Sequence, residues 1–121
     1  MEHSVGRLPQ PNARFLQVSG LRYAVDPAAP TGTRIANLQV NGTPLDLARR
    51  YSVAVTRFIA EGGDGYQMFV EASGRRDSDV SVRDLLAKAL AEGPLRSAGE
   101  GRMTRITIQT PSARERSATD R

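Results

Sequence analysis

An α+β fold, rather than an alternating parallel α/β fold, is expected for this chain of 121 residues. Three observations carry that expectation. Strand-like alternation dominates the first half. One later segment has clear helical periodicity. A strand-like segment follows that helix. The length fits one domain, able to bury about two-thirds of its unfolded surface without a disulfide or metal staple.

Residues 1–14 are polar, with Pro9 and Pro11, and read as a loop preceded by the end of a helix. Phe15 to Val25 reads as a strand: Leu16 and Val18 share one parity, Leu21, Tyr23 and Val25 the other. The switch falls at Gly20 and predicts a β-bulge there. Asp26-Pro27 stops the strand. Ala36, Leu38 and Val40 alternate with polar residues up to Asn41-Gly42. That pair signals a hairpin, because a type I′ turn needs positive φ at both central positions. Pro44, Leu45 and Asp46 lie on the return side, and Tyr51, Val53 and Val55 predict a further strand. A short helical turn is expected over 58–61, ended by Gly62-Gly63. Val82, Leu85, Leu86, Ala89 and Leu90 line one face of a helix, with Ser81 and Asp84 at its start and Gly93-Pro94 at its end. Met103, Ile106 and Ile108 predict a last strand. From Pro111 onward no apolar residue is larger than Ala. The expected division is therefore a domain over 1–110 and a disordered polar tail over 111–121. The expected core is Leu16, Val18, Leu21, Leu38, Val40, Val53, Val55, Leu85, Leu86, Leu90, Ile106 and Ile108.

Composition excludes several chemistries. There is no cysteine, hence no disulfide, thiolate nucleophile or Cys-bound zinc. The single histidine, His3, cannot build a His-rich metal centre, and its place near the terminus marks it as inert. No run of about 18 apolar residues exists, so no helical membrane span is expected. The net charge is +4, and 16 of the 17 cations are Arg, with Lys88 the exception. They are scattered rather than clustered, so nucleic acid is not the expected partner. No basic segment followed by an apolar stretch opens the chain. That pattern fits a cytoplasmic protein, or a piece whose export signal lies elsewhere.

The densest chemical segment is Phe58-Ile-Ala-Glu-Gly-Gly-Asp-Gly-Tyr66. Gly62, Gly63 and Gly65 let the backbone approach a ligand closely while Asp64 points at it. A carboxylate only accepts, which suits the adjacent hydroxyls of a ribose. Phe58 offers a flat face to a base, and such stacking is worth about 1–3 kcal/mol. The same residues also fit a purely structural turn, with Asp64 capping an amide and Phe58 or Tyr66 in the core. The segment is neither a P-loop nor a dinucleotide fingerprint. Asp77 and Asp79 read as charges before a helix rather than metal ligands. Ser19 lacks the context of a nucleophile, and Asp46 reads as turn chemistry.

Taken together, Glu2-His3-Ser4-Val5, Arg14 to Arg22, Val40-Asn-Gly-Thr-Pro-Leu-Asp46, Tyr51 to Thr56, Phe58 to Tyr66 and Glu100-Gly-Arg-Met103 resemble, in this order, the C-terminal domain of 5′-nucleotidases. The resemblance spans about residues 2–109. It implies a sandwich with an antiparallel-rich sheet and flanking helices, incomplete at its N-terminus. It implies a nucleotide-recognition role in nucleotide catabolism. Phe58 would be one of two rings sandwiching the base, and Asp64 the acid on the ribose hydroxyls. Gly62, Gly63, Gly65 and Tyr66 would complete the loop. Hydrolysis in that family belongs to a separate N-terminal calcineurin-like metallophosphatase domain holding two divalent metal ions. No catalytic residue, metal ligand or cofactor is therefore expected in this chain.

Two departures qualify the resemblance. The family's other stacking ring lies upstream of the segment resembling Glu2 to Val5, and Arg57 stands where Asn or Asp is common. The isolated chain is accordingly expected to bind nucleosides weakly and to be catalytically inactive. The metallophosphatase partner would be missing or supplied in trans. The alternatives are a module that completes a separate metallophosphatase chain, or a small basic nucleic-acid-binding domain. A parent that follows its family would be periplasmic or extracellular. Base specificity stays open, as does the parent substrate: a nucleoside monophosphate, cyclic nucleotide, dinucleotide or sugar nucleotide.

Overall fold

The computed structural model of the chain describes residues 1–94 and 101–107. Its elements in order are α1 (Glu2–Val5), β1 (Leu21–Val25), β2 (Ile35–Val40), β3 (Thr43–Pro44), α2 (Arg57–Ala60), α3 (Val82–Ala91) and β4 (Met103–Arg105). Two 3-10 turns, Gly63–Gly65 and Gln67–Phe69, follow α2. The strands form one sheet in the order β3-β2-β1-β4. β1 pairs antiparallel with β2, β2 antiparallel with β3, and β1 parallel with β4. The architecture is thus a mixed α+β fold with few helices.

The hairpin forms as its residues require. Asn41 and Gly42 have φ of 51° and 80°, so both central positions are left-handed. The bulge does not sit at Gly20. Register slips between Arg22 and Ala24 of β1, and their partners are Gln39 and Ala36. The extra residue therefore lies on β2, where Asn37 has φ of 52°. Asn tolerates that region far better than a branched or bulky side chain. Gly20 instead ends the strand on its N-terminal side: with φ of 73° it turns the chain into Leu21. Residues 15–18 pair with no strand among the described residues, and the Leu16 amide donates to Ser4 Oγ at 2.9 Å.

The core is small and centred on β1. Val5, Tyr23 and Val25 form a buried cluster, with Met1, Leu8, Phe15, Val18, Ile35 and Leu38 packed against it. Burial of Ala24 as well as Tyr23 and Val25 means that both faces of this central strand are covered. Of the expected core, Leu16, Val18, Leu21, Leu38, Val40 and Ile106 are half-buried, and Ile108 lies outside the described residues. Val53, Val55, Leu85, Leu86 and Leu90 are exposed. Their expected burial is corrected by the structure.

Two reasons account for that correction. The Tyr51–Val55 stretch has strand alternation but pairs with no strand among the described residues, so its valines face solvent. α3 has the expected start, with Ser81 Oγ accepting from the Asp84 amide at 3.0 Å. Its apolar face, however, is left exposed at Leu85, Leu86 and Leu90, and no residue of α3 is buried. Periodicity specifies which residues share a face and leaves open what covers it. The expected tail over 111–121 lies outside the described residues. No helix among those described is long and apolar enough to cross a membrane.

Candidate functional site

The loop after α2 is built from its glycines outward. Thr56 caps α2, its hydroxyl oxygen accepting from the Ile59 amide. Ile59 is buried and fixes the helix, while its neighbour Phe58 is 59% exposed. Gly62 then takes φ of 88° and ends the helical path. At Gly63 the Phe58 ring lies so close that an added Cβ would stand 2.5–2.6 Å from three ring carbons. Only a hydrogen at this position lets the ring rest on the backbone. Asp64 follows with φ of 53° and ψ of 21°. A non-glycine residue in this region costs about 1–3 kcal/mol unless its surroundings hold it there. Gly65, at φ of 83°, completes the turn.

The loop is held from behind by α1. The His3 Nε2–H donates to the Asp64 carbonyl at 2.8 Å. The His3 ring also stacks edge-on against Tyr66, with centroids 4.6 Å apart and planes at 76°. Tyr66 is buried, leans on Phe69 and donates its hydroxyl to the Arg14 carbonyl. Burial pushes its hydroxyl pKa upward, and the nearby Asp64 charge adds to that rise. His3 is therefore engaged, which corrects the expectation that it is inert. No sequence pattern marks it; its neighbours in α1 are anchored as firmly. Glu2 accepts from the Arg34 and Ile35 amides at 3.1 and 2.7 Å, Ser4 is fully buried, and so is Val5.

The Phe58 ring rests on Gly63, the residue before Asp64, and both Phe58 and Asp64 are exposed. The Asp64 carboxylate makes no hydrogen bond or ion pair among the described residues, so its capping of an amide is not observed. Gly62 is buried and Gly65 exposed against the His3 ring. Tyr66 faces inward, the structural alternative left open for it above. Glu61, just after α2, meets Arg75 at 3.4 Å, and Arg75 meets Asp77 at 2.9 Å, so the following loop is tied to α2. Asp77 is thus an ion-pair partner. An open groove runs between the 51–57 segment and the 72–82 segment; Arg57 lines it, and neither Phe58 nor Asp64 does.

A metal centre needs several convergent donors. Among the described residues no group of three or more His, Cys, Asp or Glu could hold a metal ion. The described residues therefore do not fit a two-metal site. What the arrangement offers chemically is a flat apolar ring and an acceptor carboxylate, both exposed on one loop.

Comparison with known proteins bears on the same loop. The chain is 35% identical over 113 residues to a snake venom 5′-nucleotidase of Naja atra, covering 84% of this chain and 21% of that protein. It is 38% identical over 92 residues to a 5′-nucleotidase of Homo sapiens, covering 67% of this chain and 16% of that one. The crystal structure of a 5′-nucleotidase precursor from Thermus thermophilus matches with a TM-score of 0.80 and 37% identity, over 89% of this chain and 22% of that chain. The chain thus spans about a fifth of the length of these proteins. The family model for the 5′-nucleotidase C-terminal domain matches residues 1–71, a range that runs from α1 through the whole Phe58–Tyr66 loop. With more than half of the chain matched, and a solved relative sharing its backbone, this protein belongs to the 5′-nucleotidase C-terminal domain family.

Proposed function

We propose that this chain is the nucleoside-recognition unit of a 5′-nucleotidase-type phosphohydrolase. Phe58 stacks on the base, Asp64 accepts from the ribose hydroxyls, and Gly63 sets the distance between them. Cleavage of the phosphate falls to a metallophosphatase domain with its own pair of divalent metals. One observation carries the reading: on a loop held from behind, an exposed ring rests on Gly63 and the next residue exposes a carboxylate with no partner among the described residues. A structural turn would have no need to keep both in solvent. The snake venom relative supports a setting outside the cytosol.

Phe58 is the one exposed phenylalanine among the described residues. A single stacking face leaves the base half solvated, so affinity is weak. Stacking of about 1–3 kcal/mol and a charge-assisted pair of hydrogen bonds lead to a Kd of about a millimolar. The test is an adenosine titration followed by two-dimensional NMR on the full chain, with Phe58→Ala and Asp64→Asn variants. Shifts centred on residues 58–66 that both variants weaken are the expected result. Micromolar affinity, or shifts that neither variant alters, would refute the proposal.

A second reading, an interaction module that completes a separate metallophosphatase chain, is favoured by the exposed apolar face of α3. Restored phosphate release on mixing the two chains separates it from the first.

A further inference from the structure

We propose that His3 is a positioning residue that aims the Asp64 carboxylate at the hydroxyls of a ribonucleoside. The inference rests on the reading of Asp64 as the ribose acceptor and adds a residue to it from a different element, 61 positions away in sequence.

Three contacts of His3 converge on residues 64–66. His3 Nε2–H donates to the Asp64 carbonyl at 2.8 Å. The same ring fills the space beside Gly65, where an added Cβ would stand 3.1 Å from Cε1 and 3.2 Å from Nε2. Its other contact is the buried Tyr66 ring, whose hydroxyl is committed to Arg14. His3 cannot drift, because Glu2 beside it is bonded to two amides at the start of β2 and Ser4 to the Leu16 amide.

The consequence is directional. Asp64 sits in the left-handed region, where an L-residue stays only when its surroundings hold it. With its carbonyl pinned on His3, its side chain stands in solvent, one residue from the Gly63 on which the Phe58 ring rests. Without that donor the peptide is free to turn to a right-handed conformation, which swings the Cβ, and with it the carboxylate, to a new bearing. The ring at Phe58 would stay, since its own support is Gly63 and α2. His3 therefore acts on the ribose end of a ligand and not on the base end. The ligand class it selects is a nucleoside with a free 2′,3′-diol.

The experiment titrates the full chain with adenosine and with 2′,3′-dideoxyadenosine, followed by NMR, in the wild type, His3→Ala and His3→Gln. The Gln side-chain amide places a donor near the position of Nε2. His3→Ala is expected to weaken adenosine binding about five- to tenfold, the loss of one net hydrogen bond, with the dideoxy analogue changed less than about twofold. His3→Gln restores the adenosine affinity. An equal loss for both ligands, or no loss for either, overturns the proposal. A wild type that does not distinguish the two ligands refutes the ribose role of Asp64 itself. In that case the ligand-free spectra decide on His3. Asp64 and Gly65 amide signals that shift or broaden in His3→Ala and recover in His3→Gln uphold the latch. Signals unmoved by His3→Ala remove it.

Discussion

Two helices of this chain invert the usual relation between sequence signal and packing. α1 is four residues long, lacks a side-chain cap, and shows no periodicity to speak of. Yet Glu2 binds two amides of the β2 start, His3 holds the Asp64 carbonyl, Ser4 holds the Leu16 amide, and Val5 is fully buried. α3 has ten residues, a Ser81 cap and a clean apolar face, and buries none of them. Isolated helices shorter than about 12–15 residues are marginal in water. A helix of ten residues therefore draws little stability from itself. The lesson is that local signals decide whether a helix can form, while tertiary partners decide whether it matters to the fold.

The largest effect should come from the α1 side. Val5→Ala removes two methyl groups from the fully buried cluster with Tyr23 and Val25, and should cost about 2–3 kcal/mol in denaturant unfolding. Leu86→Ala, on the exposed face of α3, should stay within about 0.5 kcal/mol. Equal losses at the two sites would mean that α3 is packed in solution, and the contrast would fail.

A smaller effect sharpens the same contrast. Ser81→Ala removes the acceptor for the Asp84 amide. It should lower α3 helicity by about 1 kcal/mol of local stability, read by amide exchange, without moving the global unfolding midpoint.

The smallest effect is electrostatic. The Arg75 guanidinium bonded to Asp77 holds that carboxyl below the usual carboxylate range. A lowered folded pKa adds stability above the ordinary carboxylate value, and that stability is lost as pH falls through the lowered value. Acidification below about pH 4 should thus release Arg75 and loosen the loop after α2, an effect seen in the Arg75 side-chain signals and removed by salt. Insensitivity of those signals to acid would contradict the pairing.

The residues that announced themselves in the sequence are those whose structure is local. Asn41-Gly42 demanded a type I′ turn, Ser81 a helix start, and Gly62 a helix end, and each needs only its neighbours. The β-bulge was harder. The parity switch at Gly20 was real, but Gly20 turns the chain while Asn37, on the partner strand, holds the extra residue. A bulge belongs to a pair, and one strand cannot say which partner carries it. The 51–55 alternation likewise described a strand able to pair, and pairing is a nonlocal event. In the candidate site, Phe58 and Asp64 were legible from glycine spacing and from the family resemblance. His3 was not, because its partner lies 61 residues away and a lone histidine near a terminus carries no pattern.

The proposed nucleoside site consists of the ring of Phe58 and the carboxylate of Asp64. The most direct measurement is the set of intermolecular NOEs from adenosine H2 and H8 at millimolar concentration. Contacts to the Phe58 ring protons are expected, with the ribose protons nearest Asp64. Contacts to Leu85, Leu86 and Leu90 instead would assign the ligand to the exposed face of α3 and contradict the claim.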